Sequence, residues 1–223
     1  IINYLMIYDE KKSLFAFSQP RIKFFYNDIK NIKDIKILEL GVDEGHSTSL
    51  FLKLIEQNKG NLISVDIKDS SHLFVNPNWK FIHSSDHNFE DINKEVQKLG
   101  ELDLILIDSF HEAMHVKKNF YNYYQFLKVN GLIVIDDISW LSYSKLSTKP
   151  SSGNFDANIN TFNKLLEIKL NNKNNLSLEF CFEGAGSAKI IKKSNEKLNE
   201  PKKIKKPFYW KNFLLMIFRN IFK

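Results

Sequence analysis

The chain alternates short, nearly uninterrupted apolar runs with segments whose apolar residues recur at helical spacing. Ile35 to Leu40 reads as a buried strand that breaks at Gly41, turns through Gly45 and restarts as a helix near Ser47. Leu50, Phe51, Leu54 and Ile55 stripe that helix, and Lys59-Gly60 signals its C-terminus. Asn61 to Val65 is a second strand, closed by Asp66, and Lys80 to His83 a third and weaker one, followed by Ser84-Ser85-Asp86. Leu102 to Ile107 is a strong strand ending at Asp108. Ala113, Val116, Phe120, Tyr123 and Leu127 then mark one face of a helix that Asn130-Gly131 is expected to end. Leu132 to Ile135 follows as a fifth buried strand, running into Asp136-Asp137. Apolar strands alternating with helices predict an α/β domain whose parallel sheet is covered on both faces.

The flanks read differently. Asn27 to Ile35 looks like the end of a helical lead-in with a short turn, and residues 139–158, rich in Ser, Lys, Asn and Gly, read as a loop or lid over the strand ends. A helix is expected over Ile159 to Leu170. Ser177 to Glu183 and Ala188 to Lys192 read as strands joined by Gly184-Ala185-Gly186-Ser187, hence an antiparallel pair at the sheet edge. The expected organisation is a lead-in over 1–34, a central domain over 35–192, and a basic linker with an amphipathic helix over 193–223.

Charge sharpens that division. Lys189 to Lys223 holds 11 basic and two acidic residues, whereas the rest of the chain holds 21 basic and 24 acidic. A positive field confined to an appendage argues against nucleic acid as the partner of the active site. Four lysines lie between Pro201 and Pro207, and from Trp210 the apolar positions form a helical stripe. This segment is too short and too charged to span a bilayer; it suits an anionic membrane surface, with docking on its own domain or on a second subunit as the alternatives. The opening residues carry no basic n-region or cleavage site, so a cytoplasmic location, peripheral to the membrane, is expected. The lone Cys181 excludes an internal disulfide framework and a multi-cysteine zinc site.

Carboxylates close successive strands at Asp66, Asp86, Asp108, Asp136 and Asp137, and ligands of open parallel sheets bind outside those ends. The opening motif, Glu39-x-Gly41-x-x-x-Gly45-x-Ser47, is neither the G-x-G-x-x-G of dinucleotide enzymes nor a P-loop, since no Lys follows Gly45. Asp66 is placed to accept hydrogen bonds from the two ribose hydroxyls of an adenosine.

With Val65-Asp66, Ile107-Asp108-x-x-His111, Leu127-Lys-Val-Asn-Gly131 and Ile135-Asp136-Asp137 following in order, the chain resembles class I S-adenosylmethionine-dependent methyltransferases over roughly residues 35–192. Within that family it is most similar to the metal-dependent O-methyltransferases: catechol-type enzymes and the sugar and cephalosporin-hydroxylase-like group. Val129-Asn130-Gly131 departs from the family's usual Pro-Gly-Gly turn. The resemblance implies a seven-stranded sheet with an antiparallel last strand. It implies that Gly41 and Gly45 let S-adenosyl-L-methionine lie against backbone, that Glu39 orders the loop, and that Ser47 caps the helix or touches the cofactor's carboxylate. It further implies that Asp66 holds the ribose and that Ser85 or Asp86 lies beside the adenine. Asp108, Asp136 and Asp137 match the family's positions for a divalent cation, and an all-carboxylate set favours Mg²⁺.

A sugar or alcohol hydroxyl needs both a cation and a base to react at neutral pH. His111 is the candidate base, or else a helix-start histidine that bonds a carbonyl or the cofactor. His115, one helical turn on, reads as packing or surface; Trp140 and Tyr143 are candidates for a substrate wall. The expected reaction is O-methylation of a sugar or surface-polysaccharide intermediate. A small phenolic or natural-product acceptor, or a cofactor-binding protein without turnover, remains open.

Overall fold

The computed structural model describes residues 7–205. The C-terminal amphipathic helix expected from the sequence lies outside the described residues. Seven strands form one sheet in the order β3-β2-β1-β4-β5-β7-β6. They are β1 (Lys36–Leu40), β2 (Asn61–Asp66), β3 (Trp79–His83), β4 (Leu102–Ile107), β5 (Leu127–Asp136), β6 (Leu176–Cys181) and β7 (Ser187–Lys192). β7 runs antiparallel to both its neighbours, β5 and β6, and the pairings among β1 to β5 are parallel. The expected edge pair and reversed last strand are both present.

Strand residues alternate between two apolar layers, as a period of two requires. Leu38, Ile105, Ile107 and Ile133 face α4 (Phe89–Leu99), α5 (Ala113–Tyr123) and α6 (Ser152–Asn171), meeting Ile92, Val116, Phe120 and Leu165. Ile37, Leu104, Leu106 and Val134 face α2 (Pro20–Ile29) and α3 (His46–Asn58), meeting Ile22, Phe25 and Phe51. The lead-in is therefore two helices, α1 (Glu10–Ser18) and α2, packed on the domain rather than preceding it. Ser49 Oγ, on α3, donates to Asp9 O (2.6 Å) and accepts from Asp9 N (2.8 Å), while Lys53 pairs with Glu10 at 2.7 Å, pinning the start of α1. Among the described residues no helix is long and apolar enough to cross a membrane.

Three boundaries differ from the sequence reading. Asn130-Gly131 does not end α5, which stops at Tyr123; the pair lies inside β5, with Asn130 at φ +67°. Pairing with β4 jumps from Leu102↔Leu127 to Leu104↔Leu132, so the turn residues make a bulge rather than a cap. The helix predicted from Ile159 starts at Ser152, where Ser151 Oγ accepts from the Asn154 N–H, and the predicted lid shortens accordingly. α4, not anticipated from the sequence, places Phe89, Ile92, Val96 and Leu99 at helical spacing against the sheet.

The sheet order reverses between β1 and β4, where Leu40 pairs with Ile107. Gly41 and Asp108, the next residues, stand at that switch point, the place where open α/β sheets hold ligands.

Candidate active site

Gly41 leaves β1 at φ +98°, and Gly45, at φ +76°, is the N-cap of α3. The corner between them is fastened by Asp66. Its Oδ2 accepts the Val42 N–H (2.7 Å) and the Asp43 N–H (3.0 Å), and its Oδ1 accepts the Lys68 N–H (2.8 Å). Burial opposes the charge on Asp66, but these backbone donors hold its carboxyl below its ordinary value. The residue expected to bind ribose thus first organises the loop, with an acceptor site left on Oδ1.

Behind the corner Glu39 is fully buried and accepts hydroxyls from Ser47 (2.6 Å), Thr48 (2.8 Å) and Ser64 (2.7 Å). Ser47 does not cap α3; its hydroxyl is turned inward to Glu39. Burial pushes the Glu39 carboxyl up to about 7 from its ordinary 4.5, despite these three donors. Between those values the folded state keeps a proton the unfolded chain has lost, so stability falls as pH rises through that window. Asp108, also raised, acts in the same sense; Asp66 and Asp86, both lowered, contribute stability that is lost only at more acid pH. The wild-type protein should melt at a higher temperature near pH 5 than near pH 8, with Glu39 contributing about 3 kcal/mol of the difference. Thermal melts of Glu39→Gln across that range should show most of the slope gone.

A cavity of about 450 Å³ opens beside the corner, lined among others by Gly41, Asp66, Ser85, Asp86, Asp108 and His115. Asp86 Oδ2 accepts from Ser109 Oγ (2.6 Å), His115 Nε2 (2.8 Å) and Asn119 Nδ2 (2.6 Å), and its carboxyl stays below the ordinary value although burial opposes the charge. His115 stacks on His87 at 3.9 Å between ring centroids. His115 is therefore a wall of the cavity, not the packing or surface residue its sequence position suggested. Its hydrogen bond to Asp86, 29 positions away, leaves no local signal. Trp140, one of the predicted substrate-wall residues, packs edge-on against Phe162 and Phe182.

A second cavity of about 330 Å³ shares Gly41, Val42, Asp43 and Asp108 with the first and adds Arg21, His46, His111, Asp136 and Asp137. His111 Nε2 lies 3.5 Å from Asp137 Oδ2 and 3.8 Å from Asp108 Oδ1. Burial pushes the Asp108 carboxyl up, Asp137 adds to this, and the charges of Arg21 and His111 offset part of it. Ser187 Oγ donates to Asp136 Oδ1 at 3.0 Å. The structure thus gathers the carboxylates at the ends of β4 and β5 with His111 in one cavity, while Asp86 faces the other, which Asp108 also lines. The sequence reading missed Arg21: its Nη1 donates to Asp108 Oδ2 (3.0 Å) and to Asp136 Oδ2. The donor types, oxygen and imidazole, suit a hard divalent ion, but among the described residues Asp108, Asp136 and Asp137 do not converge on one point, and Arg21 stands between the Oδ2 atoms of the first two.

The seven-stranded sheet with a reversed last strand is the fold of the solved methyltransferases on which the chain superposes. Residues 38–138 match the family described as "Methyltransferase domain". Mycinamicin VI 2''-O-methyltransferase of Micromonospora griseorubida is 25% identical over 129 residues, 56% of this chain and 32% of that protein. MycE methyltransferase from the mycinamycin biosynthetic pathway, solved with Mg, SAH and mycinamycin VI, superposes with a TM-score of 0.61 at 19% identity, over 86% of this chain and 56% of that one. The SAH-bound methyltransferase PaMTH1 of Podospora anserina gives 0.58 at 16% identity, over 82% and 87% of the two chains. The chain spans about a third of the curated relative's length.

Proposed function

We propose that this protein is an S-adenosylmethionine-dependent O-methyltransferase acting on a hydroxyl of a sugar or surface-polysaccharide intermediate, assisted by a divalent cation, Mg²⁺ by preference. The observation that carries the proposal is the placement of His111 between Asp108 and Asp137, in a cavity whose wall is shared with the one beside the glycine corner. The shared wall, Gly41 to Asp43 with Asp108, is where a ligand in one cavity meets a ligand in the other.

When bound, S-adenosylmethionine would supply an electrophilic methyl group, and a cation on Asp108, Asp136 and Asp137 would make the acceptor hydroxyl more acidic. The protein's residues do the rest. Gly41 presents backbone without a Cβ, Asp66 holds the corner rigid, and Asp86 with His115 walls the first cavity. His111 Nε2 takes the proton of the acceptor hydroxyl, and Asp137 and Asp108 beside it stabilise the imidazolium that results; bound S-adenosylmethionine would release its methyl from sulfur, which would keep the electron pair as a neutral thioether. The O-methylation in the name of the curated relative supports this reading, as do the Mg and SAH bound in the MycE structure. A natural-product acceptor is the second reading, favoured by the mycinamycin pathway of MycE and by the exposed ring of Phe110 on the first cavity.

Purified protein given labelled S-adenosylmethionine should transfer methyl to glycosides, lose that transfer in chelator and regain it with Mg²⁺. Transfer confined to phenols would select the second reading. Calorimetry showing no S-adenosylmethionine binding would overturn both.

A further inference from the structure

Arg21 belongs to the first turn of α2, outside the residues matched by the methyltransferase family. It nevertheless reaches the end of the sheet, where one guanidinium nitrogen donates to the Oδ2 atoms of both Asp108 and Asp136. Asp136 is 3% exposed, and a carboxylate so buried needs a countercharge. The Arg21 side chain, by contrast, is 35% exposed. Its helix is held by Ile22, Phe25 and Ile29, all buried, and not by the guanidinium. Arg21 can therefore swing toward solvent while α2 stays in place.

We propose that Arg21 is a resident counter-cation of the acidic cavity that a divalent ion must displace, so that metal binding is an exchange of arginine for metal. The inference rests on the reading that Asp108, Asp136 and Asp137 hold such an ion. A guanidinium nitrogen and a metal contend for the same Oδ2 oxygens, and neither can use them fully while the other is there. The exchange keeps the buried carboxylates compensated without metal. It also lowers the apparent metal affinity, because binding is reduced by the fraction of molecules in which Arg21 occupies the oxygens. The lead-in helices then belong to the active site.

Mn²⁺ titrations, by calorimetry and by the electron paramagnetic resonance signal of free Mn²⁺, test this on the full chain. Arg21→Met should melt at a lower temperature than wild type without metal, yet bind Mn²⁺ about tenfold more tightly. Arg21→Lys, which keeps the charge without the planar fork, should fall between them and carries the comparison if Arg21→Met does not fold. Asp136→Asn should weaken binding in either background. Equal or weaker binding by both Arg21 variants, with wild type binding Mn²⁺, would overturn the exchange and leave the cation reading standing. Absence of Mn²⁺ binding in wild type and in the Arg21 variants would overturn the cation reading itself, and the exchange with it.

Discussion

His111→Asn should lower kcat by about two to four orders of magnitude, the usual contribution of a positioned general base, while S-adenosylhomocysteine binds as it does to wild type. The separation of effects follows from the layout. His111 lines the acidic cavity only, whereas the first cavity is walled by Asp66, Asp86 and His115. Thr161 Oγ1, from α6, donates to the His111 carbonyl at 3.2 Å, so the backbone that presents the imidazole does not depend on the side chain being replaced. His46→Asn is the matched control: His46 lines the same cavity but lies against Phe15 at 4.7 Å between ring centroids and pairs with Glu44 rather than with the strand-end carboxylates. It should leave kcat near the wild-type value. Steady-state kinetics together with calorimetry of the product complex read both quantities. A His111→Asn enzyme with unchanged kcat would place the base elsewhere.

The strand ends were legible because burial on both faces writes an apolar run, and because each run gives way to a carboxylate at or shortly after its end. Asp66, Asp86, Asp108 and Asp136 were found in that way, as was the reversed last strand, whose short Gly184 to Ser187 connection fits only an antiparallel neighbour. What was not legible depends on contacts between distant positions. Arg21 reads in the sequence as one more charge before the first strand. Its meaning arises only because α2 packs beside α3 and brings it to carboxylates 87 and 115 positions further on. The division of the chain into a lead-in and a domain misses that coupling for the same reason. Asp66 shows the complementary limit. It stands at the end of β2, as the sequence implies, but its first partners are the N–H groups of its own glycine corner, which no spacing rule reveals. Asn130-Gly131 carries turn chemistry that serves a bulge as well as a helix end, and only pairing with β4 decides between them.

Gly41→Ala should cost S-adenosylhomocysteine affinity about a hundredfold and lower the melting temperature at the same time. Two independent demands converge on this position. Its φ of +98° is strained for any residue with a β-carbon. A Cβ built there would also lie 2.0 Å from the carbonyl oxygen of Asp108 and 2.6 Å from its carbonyl carbon. The obstacle is backbone, not a flexible side chain, and that backbone is tied to the sheet, since Asp108 N donates to Leu40 O at 2.8 Å. Relief therefore requires β1 and β4 to part at their ends, which moves Asp108 and the wall common to both cavities. Gly184→Ala separates the two demands: its φ is +63°, but a Cβ there meets nothing within 4 Å. That variant should lose only about 1 kcal/mol of stability and bind the product as wild type does. If the strained dihedral alone mattered, the two substitutions would cost alike. A much larger loss at Gly41, in Mn²⁺ binding as well as in product binding, is expected because one backbone contact sets the spacing of both halves of the site.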